Sequence, residues 1–484
     1  MNALAYSYDP ALLASEVGSF VIDSREVRLG SIFFALSQPE YANNGFNGDF
    51  EDSTKFVPAA FENGAVACVL RHDRFSELRR QLERFETKLI FVDDVIKSLQ
   101  DLAHGVYVEW DGPVVAITGS AGKTTAKELT AHVLTSSGKK VLRNVKNYNN
   151  GLGHPLTVLN LASDNSFDVA VLEMGMSTPM NEIQRLCRIT PPDVAVELNV
   201  LPVHVEHLGS IEAVAAAKAE LVEGMKAGGV AVLNADDARV AGMSELSKGS
   251  TISYGIDTPA DVMAINIKFE RFGETTFKLK TADDESDVIF PLNGRHNISN
   301  ALAAAAVGIV FGMSLAEISA SLRCVETPSQ RGELLRFKRG FTVINDSYNS
   351  NPAALLSMVD TLVEGGSRDA RRIVVAGEML ELGPASPQVH HETGEAIAAR
   401  AIDKLIGVRG MAQNLVDGAA EAGLKDGEFA ADADTAGALL TREIRPGDIV
   451  LIKGSRGVRT EKVIEKLLEK FELEEKSGKG TPAG

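Results

Sequence analysis

Residues 114–125 read VVAITGSAGKTT, and this stretch decides the kind of fold to expect. A β-branched run is followed by a turn with two glycines and then by a helical pattern. Glycine lets successive backbone N–H groups point inward at phosphate oxygens, and the helix N-terminus adds a partial positive charge. The order strand, loop, helix predicts a loop that binds a nucleoside triphosphate, with Lys123 at the β and γ phosphates and Thr124 as a ligand of Mg²⁺.

The loop departs from the usual phosphate-loop pattern at one position. The pattern G-x-x-x-x-G-K-[ST] requires glycine at position 117, where this chain has Ile117, so the loop is a shortened variant. The alternative is a chance Gly-Lys-Thr turn, which the preceding strand and the following helix argue against. On its own, the loop indicates only that a nucleoside triphosphate binds.

Outward from the loop, short apolar runs alternate with helical patterns. The runs are DVAVLEM (168–174), DVAVELNV (193–200) and GVAVLN (229–234), and the clearest helical pattern between them is SIEAVAAAKAELVEGMK (210–226). Strands that alternate with helices predict a parallel sheet covered on both faces. The Ala-rich segment NISNALAAAAVGIVFG (297–312) predicts a buried helix.

The two ends of the chain show the same alternation. In the first hundred residues, SIFFAL (31–36) and AVACVL (65–70) read as strands, and residues 71–100 read as helix, strand and helix. After Pro328, four strand-like runs have helices between them, which indicates a second doubly wound sheet. These runs are TVINDS (342–347), RRIVVAGEM (371–379), DKLIGVR (403–409) and DIVLIKGS (448–455).

We therefore predict an α/β protein of three domains. Residues 1–108 form a small α/β domain, residues 109–326 a central P-loop ATPase-like parallel sheet, and residues 327–484 a Rossmann-like domain. The last residues, EEKSGKGTPAG (474–484), are polar and rich in Gly and Lys, so this tail is predicted to be disordered.

Composition excludes several classes of protein. The 484 residues include 49 Lys and Arg against 66 Asp and Glu, a net charge of −17, which argues against nucleic acid as the main partner. The first twenty residues have neither a basic n-region nor an uninterrupted apolar core, so no signal peptide is expected. No run approaches 18 apolar residues, so no membrane span is expected. The three cysteines have neither zinc-ligand spacing nor an even count, which predicts buried free thiols in a reducing cytoplasm.

Polar groups at strand ends complete the candidate site, because ligands bind at the carboxyl ends of strands in such sheets. Glu173 and Asp346 end two predicted strands, and His204 follows a third. Glu173 is a suitable hard ligand for Mg²⁺, while His204 with His207 could instead be a zinc site. For each residue the alternative is a solvated loop charge, and Lys218 in its Ala-rich helix reads as a surface lysine.

Taken together, the motifs resemble those of the Mur ligase superfamily over nearly the whole chain, from about Ser19 to Leu468. INDSYNSNP and GEMLELG point to the branch that adds a dipeptide, and GLGHP (151–155) departs from the family pattern. The matching segments are IDSREVRLGSIFFAL (22–36), TGSAGKTTAKE (118–128), NYNNGLGHPLTVL (147–159), VLEMGMSTPMNEI (171–183), NVLPVHVEHLGSIEAVAAAKAEL (199–221), GRHNISNALAA (294–304), INDSYNSNP (344–352), GEMLELG (377–383) and VLIKGSRG (450–457).

The resemblance implies roles for residues that match the family's motifs. The catalytic residues implied are Lys123, His204 and Lys218, with Lys218 carried as a carbamate, while His207 does not match. The implied metal ligands are Thr124, Glu173, His204 and Lys218. The implied ATP-binding residues are Gly119, Ser120, Ala121, Gly122, Lys123, Thr124, Thr125, Asn297, Asn300, Arg331 and Asp346. The implied substrate-binding residues are Ser24, Arg25, Asn150, Lys453 and Arg456.

The resemblance also implies an activity. We expect a cytoplasmic, monomeric, ATP- and Mg²⁺-dependent ligase that joins D-alanyl-D-alanine to UDP-N-acetylmuramoyl-tripeptide through an acyl phosphate, in peptidoglycan precursor synthesis. The first domain is expected to bind the UDP precursor. One alternative is a ligase of the same architecture with another substrate, such as a folylpolyglutamate synthase or the muramoyl-tripeptide-forming sibling. The other is a nucleotide-dependent switch that needs no second substrate.

Overall fold

Three sheets, one for each predicted domain, organise the protein. The computed structural model describes residues 16–46, 50–145, 147–176, 181–201, 209–326, 329–365 and 369–474. Over these ranges, no helix is both long enough and apolar enough to cross a lipid bilayer. The predicted α/β class with three domains is confirmed.

The N-terminal sheet contains four parallel strands in the order β1-β2-β3-β4. Its strands are β1 (Ser19–Val21), β2 (Ser31–Phe34), β3 (Ala67–Arg71) and β4 (Leu89–Val92). Its helices are α1 (Gln38–Asn43), α2 (Val57–Glu62), α3 (His72–Glu77), α4 (Arg79–Leu82) and α5 (Val95–Trp110). The predicted strands and the helix, strand and helix over 71–100 are therefore confirmed. The boundary expected between residues 108 and 109 falls in the last turn of α5, and the domain limits stay predictions.

The central sheet has nine strands in the order β13-β12-β11-β10-β9-β8-β5-β7-β6. The strands are β5 (Val114–Thr118), β6 (Val141–Arg143), β7 (Val169–Glu173), β8 (Val194–Glu197), β9 (Val230–Asn234), β10 (Ser250–Gly255), β11 (Val262–Arg271), β12 (Glu274–Lys280) and β13 (Glu285–Phe290). The helices are α6 (Lys123–Ser136), α7 (Gly153–Val158), α8 (Asn160–Ser163), α9 (Glu182–Ile189), α10 (Ile211–Glu223), α11 (Ala238–Gly242), α12 (Arg295–Val310) and α13 (Leu315–Arg323).

The strand β5 shows how the central sheet acquires two covered faces. Val115 and Ile117 pack into the cluster that contains α6 and α12, whereas Val114 and Ala116 pack on the other side with α5, α9 and α10. This alternation is the period of two expected of a strand buried on both faces. The phosphate loop therefore leaves the middle of the sheet with a helical layer on either side.

The prediction of a parallel sheet holds for seven of the nine strands, from β5 to β11. Strands β11, β12 and β13 form an antiparallel extension that was not predicted. Its sequence, VMAINIKFERFGETTFKLK (262–280), alternates apolar and polar residues around Gly273, the pattern of a hairpin. The signal was therefore present in the sequence and was missed.

The third sheet has six strands in the order β14-β15-β19-β16-β17-β18, all parallel except β14. Its strands are β14 (Glu333–Arg336), β15 (Thr342–Asp346), β16 (Arg372–Gly377), β17 (Lys404–Val408), β18 (Gly427–Ala430) and β19 (Ile449–Lys453). Its helices are α14 (Pro352–Gly365), α15 (Ser386–Ala398), α16 (Ala412–Glu421), α17 (Ala433–Glu443) and α18 (Glu461–Leu468). All four predicted strands are confirmed. The predicted disordered tail lies outside the described residues, except for Glu474.

The thiols differ in exposure. All three are free; Cys68 and Cys187 are buried as predicted, but Cys324 is exposed. The prediction was wrong for Cys324 because this residue follows the last turn of α13, where the chain reaches the surface between the central and third domains.

A buried neutral histidine predicts sensitivity of the fold to acid. His154 in α7 is fully buried, and its Nε2 lies 2.8 Å from the Thr190 hydroxyl. Its Nδ1 has no hydrogen-bond partner among the residues that the structure describes. Burial lowers the pKa of His154 to about 3. Because this lies below the unfolded value of about 6.5, the unfolded state gains the proton first, and stability falls as pH drops from about 6.5 towards 3.

We expect His154→Gln to reduce the loss of stability on acidification. Protonation of His154 in the unfolded state accounts for up to about 1.4 kcal/mol of lost stability per pH unit. The measurement is the free energy of unfolding in urea between pH 7 and pH 4. His72→Gln, which changes an exposed histidine, is the control and should keep the wild-type slope. Equal slopes for wild type and His154→Gln would contradict the assignment.

Candidate nucleotide site between the central and third domains

The phosphate loop connects β5 to α6 at the middle of the central sheet. Gly122, the N-cap of α6, has φ +84°, and a Cβ at this position would lie 2.6 Å from the Asn300 Oδ1. Both the backbone conformation and the contact therefore require glycine here. The first turn of α6 offers N–H groups without intrahelical partners, as at any helix start, which suits a phosphate group.

Asn199, just beyond the end of β8, holds the loop in place. Its backbone oxygen accepts a hydrogen bond from the Ser120 N–H (2.9 Å), and its Oδ1 accepts one from the Ala121 N–H (2.8 Å). Its Nδ2 donates to the Ala121 oxygen (3.1 Å). Asn199 was not predicted as a site residue, although a polar residue just after the buried strand β8 was the available signal.

The Lys123 side chain folds back onto the phosphate loop. Its Nζ donates a hydrogen bond to the Gly119 carbonyl at 2.8 Å. Burial lowers the pKa of Lys123, and the nearby Glu173 carboxylate opposes this shift. Phosphate oxygens bound at the loop would add negative charge beside this amine and further favour its charged form.

Thr124 and Glu173 form a pair of oxygen donors beside the loop. The Thr124 hydroxyl donates to the Glu173 Oε2 at 2.8 Å, and the Asn149 Nδ2 donates to the Oε1 at 2.7 Å. Asn144 fixes the backbone of Glu173 by two further hydrogen bonds, 2.8 and 3.0 Å long. Asn149 was not predicted as a site residue, although it belongs to the segment NYNN (147–150).

This pair fits Mg²⁺, which prefers hard oxygen ligands and keeps several waters. Over the described ranges, no group of three or more His, Cys, Asp or Glu side chains is placed to hold a metal ion. Two protein oxygens supplemented by phosphate and water are the usual arrangement for Mg²⁺ in nucleotide sites. His204, the predicted third ligand, and His207 lie outside the described residues.

Lys218 on α10 is buried, so the alternative of a surface lysine is wrong. Its Nζ donates to the Thr118 hydroxyl, the last residue of β5, at 3.4 Å. Burial lowers the pKa of Lys218, Lys123 lowers it further, and Glu197 opposes the shift. Lys218 thus lies directly behind the start of the phosphate loop, on the face of the sheet opposite α6.

Glu197 ends β8 and pairs in register with Thr118. It is fully buried, and neither carboxylate oxygen has a hydrogen-bond partner in the part of the chain that the structure describes. Burial raises the pKa of Glu197, whereas the positive charges of Lys218 and Lys123 lower it. Glu197 was not predicted as a site residue, because a carboxylate within a predicted strand carries no local signal of its partner on the neighbouring strand.

The third domain contributes a second set of charges. Lys453, buried at the end of β19, contacts Asp346 Oδ2 at 2.5 Å and donates to the Asn349 carbonyl at 2.8 Å. The Arg331 guanidinium lies 4.0 Å from the centre of the Tyr348 ring. Because β15 and β19 are adjacent parallel strands, their carboxyl ends place Asp346 and Lys453 side by side.

A cavity of about 490 Å³ lies between these two sets of residues, a size that suits a bound nucleotide. Most of the predicted site residues line it. They are Ser120, Ala121, Gly122, Lys123, Thr124, Thr125, Glu173, Asn297, Asn300, Arg331, Asp346 and Lys453. The structure therefore brings together the phosphate loop, the helix α12 and the carboxyl ends of β15 and β19 in the third domain.

The other predicted residues do not line this cavity. Ser24 and Arg25 lie in a short turn of the N-terminal domain, where Arg25 is exposed and paired with Asp23 at 2.6 Å. The Asn150 Oδ1 accepts hydrogen bonds from the N–H groups of residues 152 and 153 and so caps the start of α7. Arg456 is exposed, and its guanidinium lies 6.0 Å from the Tyr348 ring. Gly119, the first residue after β5, does not line the cavity either.

Two family models match the chain. The Mur ligase middle domain matches residues 117–308, and the model described as "Mur ligase, glutamate ligase domain" matches residues 330–456. These matches cover the phosphate loop, α12 and the strands that carry Asp346 and Lys453.

Similar proteins cover nearly the full length. UDP-N-acetylmuramoyl-tripeptide–D-alanyl-D-alanine ligase of Bacillus subtilis is 33% identical over 92% of this chain and 92% of its own. The ligase of the same name from Escherichia coli is 32% identical over 92% and 93%. The crystal structure of MurF ligase from Thermotoga maritima in complex with ADP is 26% identical, with a TM-score of 0.79, over 96% of this chain and 99% of that one.

Proposed function

The chain belongs to the Mur ligase family, and on this basis we propose that it joins D-alanyl-D-alanine to UDP-N-acetylmuramoyl-tripeptide at the expense of ATP, in peptidoglycan precursor synthesis. The observation that carries the proposal is the shared cavity. It places the phosphate loop of one domain opposite the Asp346–Lys453 pair and Arg331 of another. A site assembled from two domains suits a reaction that must bring ATP and two further substrates together.

The chemistry explains the need for ATP. A carboxylate is a poor electrophile, so the γ-phosphoryl group of ATP is transferred to the C-terminal carboxylate of the tripeptide, giving an acyl phosphate and ADP. The amine of D-alanyl-D-alanine then attacks the acyl carbon, the C–O bond to phosphate breaks, and inorganic phosphate leaves. The nitrogen loses its extra proton to water. The enzyme needs no covalent nucleophile, only positioning and charge stabilisation.

The residues of the central domain meet the charge requirement. Two anions, ATP and a carboxylate, must approach each other, and Lys123 with the first-turn N–H groups of α6 offsets their repulsion. Thr124 and Glu173 would hold Mg²⁺, which supplies additional positive charge at the phosphates. Lys218 and His204 stay proposed partners in metal binding, and Asn297 and Asn300 proposed contacts of the nucleotide.

The third domain is proposed to bring the dipeptide and to cover ATP. Arg331 and Lys453 give positive charge at the far wall of the cavity, and Asp346 orients Lys453 through its 2.5 Å contact. Arg456 stays a proposed contact of a carboxylate or phosphate. In the N-terminal domain, Ser24 and Arg25 stay proposed contacts of the UDP group, and Asn150 of the sugar or peptide.

The alternative substrates have less support. Folylpolyglutamate synthase of Mycobacterium tuberculosis shares the fold at 18% identity and a TM-score of 0.62, a likeness that concerns the fold alone. The full-length relatives at 33% and 32% identity carry the name of the dipeptide ligase. A switch protein would not require the charged wall that the third domain places opposite the loop.

Cellular location and assembly state extend the proposal. We propose a cytoplasmic enzyme because ATP and the nucleotide-linked precursor must both reach the cavity. We also propose a monomer, because the cavity brings the residues proposed to bind ATP together from two domains of the same chain. Sedimentation of the purified protein measures the assembly state.

The deciding experiment measures phosphate release from ATP with UDP-muramoyl tripeptide, with and without D-alanyl-D-alanine. We expect release to require both substrates, and the product mass to equal the sum of the two minus water. Tripeptides with either common diamino acid at the third position form two arms of the assay. Release that is independent of acid and amine would support the switch. Activity only with a folate and glutamate, or only with the sibling's muramoyl-dipeptide and free amino acid, would support the alternative ligases.

A further inference from the structure

The turn between β11 and β12 is rigidly held by the central domain. The Asn293 side chain, which is buried, accepts a hydrogen bond from the Gly273 N–H at 2.5 Å and donates to the Arg271 carbonyl at 3.1 Å. It also donates to the Thr275 hydroxyl at 3.3 Å. One amide thus fixes both sides of the turn and orients Phe272 at its tip.

Phe272 points into the third domain. Its ring packs against the core cluster of that domain, and its carbonyl accepts a hydrogen bond from Arg336 Nη2 at 2.9 Å. A Cβ added at Gly365, the last residue of α14, would lie only 2.7 Å from the ring. Only glycine at position 365 therefore leaves a notch on α14 that accommodates the Phe272 ring.

The same face of α14 runs along the central domain. Ser357, Thr361 and Gly365 recur every four residues and so lie on one side of the helix. The Ser357 hydroxyl lies 2.9 Å from the His296 Nδ1, and a Cβ at Gly294 would lie 2.5 Å from the Thr361 hydroxyl. Phe272 marks the C-terminal end of this contact, whereas the N-terminal half of α14 lines the cavity.

The turn is also linked to the nucleotide cavity. The Asn297 Nδ2 donates to the backbone oxygen of Asn293 at 2.8 Å, and Asn297 itself lines the cavity. Asn297 and Asn293 therefore connect the cavity wall to the turn that carries Phe272.

We propose that Phe272 is a positioning residue of the ligase: its ring, seated against Gly365 of α14, holds the third domain where Asp346 and Lys453 oppose the phosphate loop. The inference rests on the proposed function. Phe272 touches no reacting group and acts through the placement of α14 and the strands beside it. Displacement of catalytic groups by about 1 Å can lower a rate on the order of 100-fold.

The test uses both sides of the notch in the full-length protein. We expect Phe272→Ala to lower kcat for ligation by about 10- to 100-fold, with little change in the Kd of the UDP precursor. Gly365→Ala should act similarly, because its methyl group collides with the ring. In the double variant the methyl group occupies space that the ring has left, so the combined loss should be smaller than the product of the single losses.

Phe429→Ala is the matched control, since Phe429 is an exposed phenylalanine of the third domain, on β18. Small-angle X-ray scattering of each variant measures the spread of domain arrangements, which should broaden in both single variants and narrow again in the double variant. This readout does not depend on activity, so it separates failure of the positioning role from failure of the proposed reaction.

Wild-type kcat in Phe272→Ala, or multiplicative losses in the double variant, would overturn the proposal. Phe272→Leu keeps apolar volume in the notch and should recover part of kcat. If Phe272→Ala fails to fold, Gly365→Ala and Gly365→Ser carry the test, and wild-type scattering and kcat in both would overturn it equally.

Discussion

Lys123→Ala should lower the rate of ligation on the order of 1,000-fold, because preorganised charge at the transferred phosphoryl group is removed from a water-poor site. In the structure the Lys123 amine already lies inside the loop, 2.8 Å from the Gly119 carbonyl. Burial lowers the pKa of Lys123, and nearby carboxylates such as Glu173 oppose this shift, so negative charge beside the amine favours its charged form. Negative charge from ATP phosphates fits this requirement.

The measurement is phosphate release together with calorimetric binding of the UDP precursor. Binding of the precursor should survive in Lys123→Ala, because Ser24 and Arg25 belong to a different domain. Lys97→Ala is the control, since Lys97 is an exposed lysine on α5 that forms an ion pair with Asp101. Activity equal to wild type in Lys123→Ala would refute the assignment of the loop.

Lys218→Ala should likewise abolish most activity, by about 100- to 1,000-fold, and short carboxylic acids such as acetate should restore part of it. The lysine is buried behind the loop, with its Nζ on the Thr118 hydroxyl. The expected carbamate forms when its neutral amine attacks CO₂ and loses a proton, which turns a cation into an anion. An added carboxylate can replace that anion in the space left by the side chain.

The choice of rescuing agent makes the test specific. Rescue by alkylamines instead of acids would show that a positive charge opposite Glu197 is what the site needs, and the carbamate would be ruled out. Unchanged activity would make the lysine structural. Lys404→Ala is the matched control, because Lys404 is equally buried but lies in an ion cluster with Asp426, Glu428 and Glu443. Lys404→Ala should lower the stability of the protein, and added carboxylic acids should not change its activity.

Local patterns in the sequence were enough to predict the loop and the strands around it. VVAIT, the glycines and Lys123 are neighbours in the chain, so their geometry follows from strand, turn and helix alone. Asn297 and Asn300, in contrast, were expected only from the family resemblance, and the structure places both on α12 beside the cavity. A strand end or a strand–turn–helix order can be recognised from the positions of residues along the chain alone.

Residues that act across strands were harder to predict. Glu197 matters because β8 pairs with β5 in a register that puts it beside Thr118, and Asn199 because the same pairing brings it to the loop. Nothing in the spacing of the sequence gives that register. Likewise the burial of Lys218 depends on which face of α10 meets the sheet, and an Ala-rich helix leaves this open.

The exposed thiol on Cys324 has a practical consequence. The chain contains three cysteines, and the other two are buried. A maleimide dye should therefore attach to the unmodified protein at one predictable point, just after α13 and close to where the third domain begins. The native enzyme thus comes with its own handle for fluorescence, and rotation of the dye during turnover can be followed without engineering a cysteine.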